Sequence, residues 1–387
     1  MNDVNRVHWV DYLRSAIIIL VVALHSAVAY ATYGRFDYDV YINSTHPIID
    51  AKKGIGFDLF AEFLDVFIMP LMFLIGGLFL MRSINKKGRV VFIKDRFLRL
   101  FVPFLFPGTL FMLIAYFPSY YIARHEINLM AYIKDFFLVQ DWPAGPPWFL
   151  LELFFFNLIF AIVYPLYQKM KVRFHVLKNK PFIFVIIFFI ISWLLYVPLA
   201  YKVGTGTWVE LGPLEFDLSR VLFYFGYFSL GIFIGNTDFN AELFSRTSAI
   251  VKKWWLWAIL SFLVFAIYAC VSDFLTHGSG GNKFIMFIVW IAYDSLFPLF
   301  CTLISVAFIT IFRKLLTTSI YWMNSFSDNA YMIFLIHYIF VVWIQFLLLK
   351  LNIPAAAKFS LTFILSIILS WGASSLLRKI AIVRRYI

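Results

Sequence analysis

The chain is expected to fold as an all-α, polytopic membrane bundle of about ten helices. Three observations lead there. The 387 residues are 63% apolar, 21% aromatic and only 14% charged, a composition that no ordinary soluble domain has. Apolar runs long enough to cross a bilayer, about 20 residues each, recur along the whole sequence. These runs are continuous and lack the alternation of a barrel strand, and in lipid only helices or closed barrels satisfy the backbone.

Ten such runs are centred near Val21, Leu71, Leu110, Phe155, Phe188, Tyr227, Leu263, Cys301, Phe340 and Ile367. The first, DYLRSAIIILVVALHS, carries Arg14 at its start and His25 eleven positions on, ~16 Å deeper along one helix axis. Small residues around Ala29 and Ala31 resemble a signal cleavage site. Against that reading, Asp3 and Asp11 accompany Arg6 and Arg14, the run is long for a signal, and everything after it is also membrane-like. The second run holds Pro70, Gly76 and Gly77, which predict a kink and a close backbone approach. The third opens on Arg96 and Arg99, an RxxR pair on one helix face whose guanidiniums can grip phosphate. The fourth starts at Pro146 and Pro147, with Trp148 at the interface and Glu152 one turn inside. In the ninth, SDNAYMIFLIH, Ser327 or Asp328 is placed to cap a helix carrying Tyr331 and His337.

Lys and Arg in alternate loops number 23 on the side of the N-terminus and 9 on the other, with Arg220 at the edge of a span. By the positive-inside rule both termini are cytoplasmic, which requires an even number of spans. The net charge of +12 is thereby a topology signal, and no nucleic-acid partner is needed to explain it. Cys270 and Cys301 lie inside spans and support neither a disulfide framework nor a metal site. With no repeat and no appended soluble domain, residues 1–387 are expected to form one membrane-embedded domain. The loops from Gly34 to Gly56 and from Ser119 to Pro147 are its largest surfaces on the outer side.

An ionisable group at membrane depth is costly and marks a cavity or a partner, which singles out His25, Glu152, Asp65, Asp294, Arg220 and His337. Structural readings compete with functional ones: Arg14 as a snorkelling anchor, His337 as a packed core histidine. The ensemble of Arg14-x10-His25, the preceding WVDYLRS, FLIGGLF, Arg96-x-x-Arg99, WFL and SDNAYMIFLIH resembles acyltransferase family three of bacterial membrane proteins, in order and over most of the chain. The DYLRS start is similar to the glucan biosynthesis protein C branch. Ser15 stands where many members carry Gly.

The resemblance implies transfer of an acyl group, acetyl foremost and succinyl as an alternative, from cytoplasmic acyl-CoA to a hydroxyl of an envelope glycan or related carbohydrate acceptor. It places the chain in the bacterial inner membrane, with lipid as its surroundings. On this reading Arg14, Arg96 and Arg99 bind the acyl-CoA phosphates, His25 is the catalytic base with Arg14 on the same helix, and Glu152 faces the cavity. A ping-pong route through an acylated His25 is an alternative. Ser26 is a poorer nucleophile because it projects ~100° away around the helix. Competing classes are a transporter or flippase for a lipid-linked sugar, which would be expected to show internal symmetry, and an assembly subunit without turnover. Lys52, Lys53, Arg124 and Lys202 raise the question of an anionic acceptor.

Overall fold

The computed structural model describes residues 7–170, 177, 179–277, 283–381 and 383. Arg6, Asp3, Lys171, Arg173, Lys178, Arg384 and Arg385, which enter the charge count, lie outside the described residues. Fourteen helices and one β-hairpin follow in chain order. They are α1 (His8–Val28), α2 (Ile55–Gly77), α3 (Leu80–Lys87), α4 (Arg89–Arg96), α5 (Thr109–Arg124), α6 (Leu129–Leu138), α7 (Trp148–Lys169) and α8 (Pro181–Val203). Then come β1 (Trp208–Leu211), β2 (Leu214–Asp217), α9 (Val221–Gly235), α10 (Ala249–Lys252), α11 (Trp254–His277), α12 (Lys283–Leu315), α13 (Tyr321–Leu348) and α14 (Ala355–Leu377).

Among the described residues nine helical stretches are long and apolar enough to span a membrane, at the positions expected for all but the sixth. That sixth run, around Tyr227, is α9, an apolar helix of 15 residues. At ~1.5 Å per residue it covers about 22 Å, less than the hydrocarbon core. Polar groups close it at both ends: the Asp217–Arg220 ion pair before it and Asn236, Thr237 and Asp238 after it.

α1 sits inside the bundle, packed by α2, α12, α13 and α14. The third span meets α13 and α7, so α13, rather than a seam between the first and third spans, is their common neighbour. Tyr12 donates from α1 to Asn324 Oδ1 at 2.6 Å, and the Ser15 and Ser327 hydroxyls meet at 2.7 Å. Arg378, just past α14, reaches the Asp328 carbonyl. The first and last described helices thus meet the same end of α13, as an even number of crossings requires. That end also holds Arg82 to Arg99 and is called the basic end below; the hairpin lies at the opposite one. α13 begins at Tyr321 with Ile320 as its N-cap. Ser327 and Asp328 are therefore interior, not caps, because the helix gains packing against α1 a further turn and a half before them.

The close approach expected at the second span is realised on α9. A Cβ on Gly77 would strike the Phe228 carbonyl oxygen, one on Gly231 that of Leu74, and one on Gly235 that of Leu78. Gly231 and Gly235 are four apart on one face of α9, so the α2 and α9 backbones touch along a glycine seam where lipid offers no hydrophobic drive. Substituting Gly235 by Ala is expected to cost at least the ~1–3 kcal/mol of an overpacked core, since only backbone can yield. Thermal unfolding in detergent checks this, and an unchanged midpoint would contradict the seam.

Candidate active site

At the hairpin end, His25 of α1 emerges on an internal cleft with two lobes, of about 560 and 880 Å³. Its ring lies among three aromatic neighbours: His337 at 5.5 Å between centroids, Tyr338 edge-on at 5.0 Å and His46 at 6.3 Å. His25 and Tyr338 line both lobes, and His46 lines the larger. The backbone behind the ring is fixed by Gln345 of α13, whose amide donates to the His25 carbonyl at 3.1 Å and to that of Ser26 at 3.3 Å.

The two flanking histidines are held by main chain. His337 is fully buried, with Nδ1 2.7 Å from the Phe334 carbonyl. A carbonyl only accepts, so the proton is on Nδ1 and Nε2 is a lone-pair acceptor, buried without a protein partner. His46 arrives from the loop after α1. Its Nδ1 is 3.2 Å from the Ile48 carbonyl, and burial pushes its pKa down to about 4, so it is neutral at physiological pH. Its loop is tied into the bundle by a buried ion pair, Asp50 Oδ2 to Lys358 Nζ at 2.6 Å.

The hairpin forms the upper wall. Val209 and Phe216 pair across it, as do Glu210 and Glu215, and Gly212, at φ 59°, makes the tight turn. Its attachments come from the 141–147 loop: Ala144 N–H donates to Glu215 Oε1 at 2.7 Å and Asp141 Oδ2 accepts from Gly212 N–H at 3.2 Å. Asp141 and Trp142 both adopt left-handed backbone, at φ 49° and 56°, a conformation that costs free energy outside glycine and is held here by the Trp142 N–H bond to the Phe136 carbonyl. Burial pushes the Glu215 carboxyl up to about 7, with Glu210 and Asp141 adding to the rise against the Ala144 N–H. Arg220, at the base of the hairpin, pairs with Asp65 at 2.7 Å and Asp217 at 3.1 Å and lies over the Phe297 ring.

The other residues singled out from the sequence fall in different places. Arg14 is at the basic end, 41% exposed in its side chain and 3.3 Å from Asp11. Arg96 lays its guanidinium over Phe92 at 5.0 Å with Nη2 3.5 Å from Ser83 Oγ, and its Nε is buried without a partner. Arg99 is half exposed beside Asp95, inside the first of two π-helical turns, Phe97–Phe101 and Phe104–Gly108; such turns recur at functional sites. The Arg99 carbonyl accepts from Tyr331 of α13 at 2.6 Å. Glu152 is buried, with neither carboxylate oxygen partnered by protein. It shares a helix face with Phe149 and Phe156, which pack on Phe73 of α2, and it lines neither lobe. The expected contact between Glu152 and the His25 cavity is therefore not made, because the two phenylalanines turn that face of α7 onto the apolar side of α2. Ser26 is fully buried and donates to the Val22 carbonyl at 2.7 Å, which leaves it unavailable as a nucleophile. Asp294 is buried against the Thr205 hydroxyl at 3.2 Å.

The basic residues considered for an anionic acceptor are engaged elsewhere. Lys52 donates to Asn352, Lys53 to the Gly34 carbonyl, and Arg124 to the carbonyls of Tyr38 and Asp39. The cleft is instead acidic: Asp58, Glu62, Asp65, Asp273, Glu210 and Glu215 line its two lobes, against Arg220 alone among the described lining residues. His46 and the hairpin went unread in the sequence. WVELGPLEFD, with two alternating runs about Gly-Pro, was the available hairpin signal; a loop histidine gives none.

A helical bundle of this length and apolarity, with a histidine-lined cleft opening inside it, is a multi-pass membrane protein built around a polar reaction chamber. The chain belongs to acyltransferase family three: the model of that family's acyltransferase domain matches residues 7–375, and the protein is a membrane acyltransferase. Neither the curated proteins nor the solved structures compared with it gave a match.

Proposed function

We propose that the protein is an acyl-CoA-dependent O-acyltransferase of the bacterial inner membrane, with both termini cytoplasmic, that moves an acetyl or succinyl group to a sugar hydroxyl on the outer side. His25 carries this reading. It is the one residue that joins the two ends of the bundle, since Arg14 at the basic end begins the same helix that delivers His25 to the acidic cleft, ~16 Å further along.

In this mechanism the phosphates of acyl-CoA rest on Arg14, Arg96 and Arg99, and the pantetheine arm carries the thioester toward His25. The unprotonated imidazole takes the proton of the acceptor hydroxyl as that oxygen attacks the thioester carbonyl. The tetrahedral oxyanion is stabilised by hydroxyl donors, for which Tyr338 and Tyr116, both on the cleft wall, are the nearest set. Collapse breaks the C–S bond, and the imidazolium returns its proton to the leaving thiolate. A thioester is already activated, so a positioned base and oxyanion donors suffice.

Purified protein given acetyl-CoA and a sugar acceptor should release free CoA, which a transporter or assembly subunit would not do. Replacing both Arg96 and Arg99 by Ala is expected to weaken acyl-CoA binding at least tenfold, because each charge-assisted bond is worth ~1.5–3 kcal/mol. Unchanged affinity in calorimetry would remove the pair from the donor site.

A further inference from the structure

The walls of the smaller lobe combine two features that the acyl-transfer chemistry does not need. Trp148, at the start of α7, and Trp208, at the start of β1, meet edge to face at 5.5 Å, and Trp148 is also stacked with Tyr224 at 6.2 Å. Trp208 remains 45% exposed, so an indole is presented toward the opening. Directly across the hairpin from one another, Glu210 and Glu215 line the same lobe. Like charges opposite each other destabilise a strand pair, so this pairing opposes hairpin stability and calls for a compensating partner.

With the Glu215 carboxyl held up to about 7, the pair retains a proton part of the time near neutrality. It then offers a donor as well as acceptors, which is the complement of a hydroxyl. Aromatic faces receive the C–H side of a sugar ring, and fixed polar groups fix its orientation. An independent sign of a ligand stands on the adjoining lobe, where His46, only 3% exposed, keeps Nε2 without a protein partner.

We propose that the cleft is specific for an uncharged polyhydroxylated acceptor, laid against Trp148 and Trp208 with its hydroxyls on Glu210 and Glu215, and that its carboxylate wall rejects anionic acceptors. This rests on the acyltransferase reading only in calling the ligand an acceptor; the binding preference stands apart from turnover. Rejection by like charge is a specificity device separate from the attractive contacts, and the sole lining guanidinium, Arg220, is already engaged by Asp65 and Asp217.

The test is a titration of the purified full chain with a panel of neutral trisaccharides and their uronate counterparts, in gluco and galacto configuration, read by tryptophan fluorescence. At least one neutral sugar should bind, with its uronate tenfold or more weaker, and added salt should narrow that gap by screening. The Glu210→Gln, Glu215→Gln double variant should bring the two within about threefold. Uronates binding as well as neutral sugars, no binding by any member, or a gap unchanged in the double variant would each overturn the proposal. The wild-type preference tests its sign even where the variant does not fold. Binding with the stated preference but no acyl transfer would overturn the proposed activity and leave this inference standing.

Discussion

Replacing His25 by Ala is expected to lower acyl transfer at least a hundredfold while acyl-CoA binding and the thermal midpoint change little. General-base contributions run from about 10² to 10⁴, and His25 is the histidine that opens on both lobes of the cleft. The fold should tolerate the change, because His25 is only partly buried and the Gln345 anchors reach backbone carbonyls that Ala retains. His337→Ala should behave differently: that ring is fully buried and bonded to the Phe334 carbonyl, so stability and activity should fall together. A His25→Ala protein that acylates acceptor near the wild-type rate would remove the base from this mechanism.

Breaking the Asp50–Lys358 pair is the second large effect expected. Both side chains are almost fully buried, at 4% and 1% exposure, and 2.6 Å apart. Removing one partner strands a charge in the interior, and Lys358→Ala or Asp50→Ala should each cost about 3–5 kcal/mol. Lys358→Met combined with Asp50→Leu should recover most of that loss, since an apolar pair of similar size needs no compensation. The loop held by Asp50 also carries His46, so the single variants should lose activity in parallel with stability. Denaturation midpoints across this cycle decide it. Single variants as stable as the wild type would show that the pair does not anchor the loop.

The sequence carried the fold because lipid imposes one rule on every span, a long apolar run closed into a helix, and Val21, Leu71 and Phe340 all sit at the centres of such runs. It carried His25 for a related reason: an imidazole amid aliphatic residues has no cheap structural explanation. It could not carry the cluster around that imidazole. His46 comes from a loop whose path depends on Asp50 finding Lys358, a contact 308 residues away in sequence, and Lys358 looked like an ordinary loop charge. Glu152 shows the opposite failure. Its depth was legible, but whether its face of α7 met the cleft or α2 was decided by Phe149 and Phe156 packing on Phe73, which no local pattern encodes. The glycine seam was half visible: Gly77 drew notice, whereas its partners Gly231 and Gly235 lay in a run too short and uniformly apolar to stand out. The acidic character of the cleft needed the hairpin in place, because Glu210 and Glu215 become neighbours only across the strand pair.

The central claim, that His25 joins a donor from the basic end to an acceptor in the cleft, is tested most directly in proteoliposomes of one orientation. Acyl-labelled acetyl-CoA is supplied only at the face bearing Arg14, Arg96 and Arg99, and a neutral oligosaccharide only at the hairpin face. Label should appear on the oligosaccharide with release of one CoA per acyl group transferred, and His25→Ala vesicles should transfer almost none. Transfer that occurs only when donor and acceptor share one face, or that persists without His25, would contradict it.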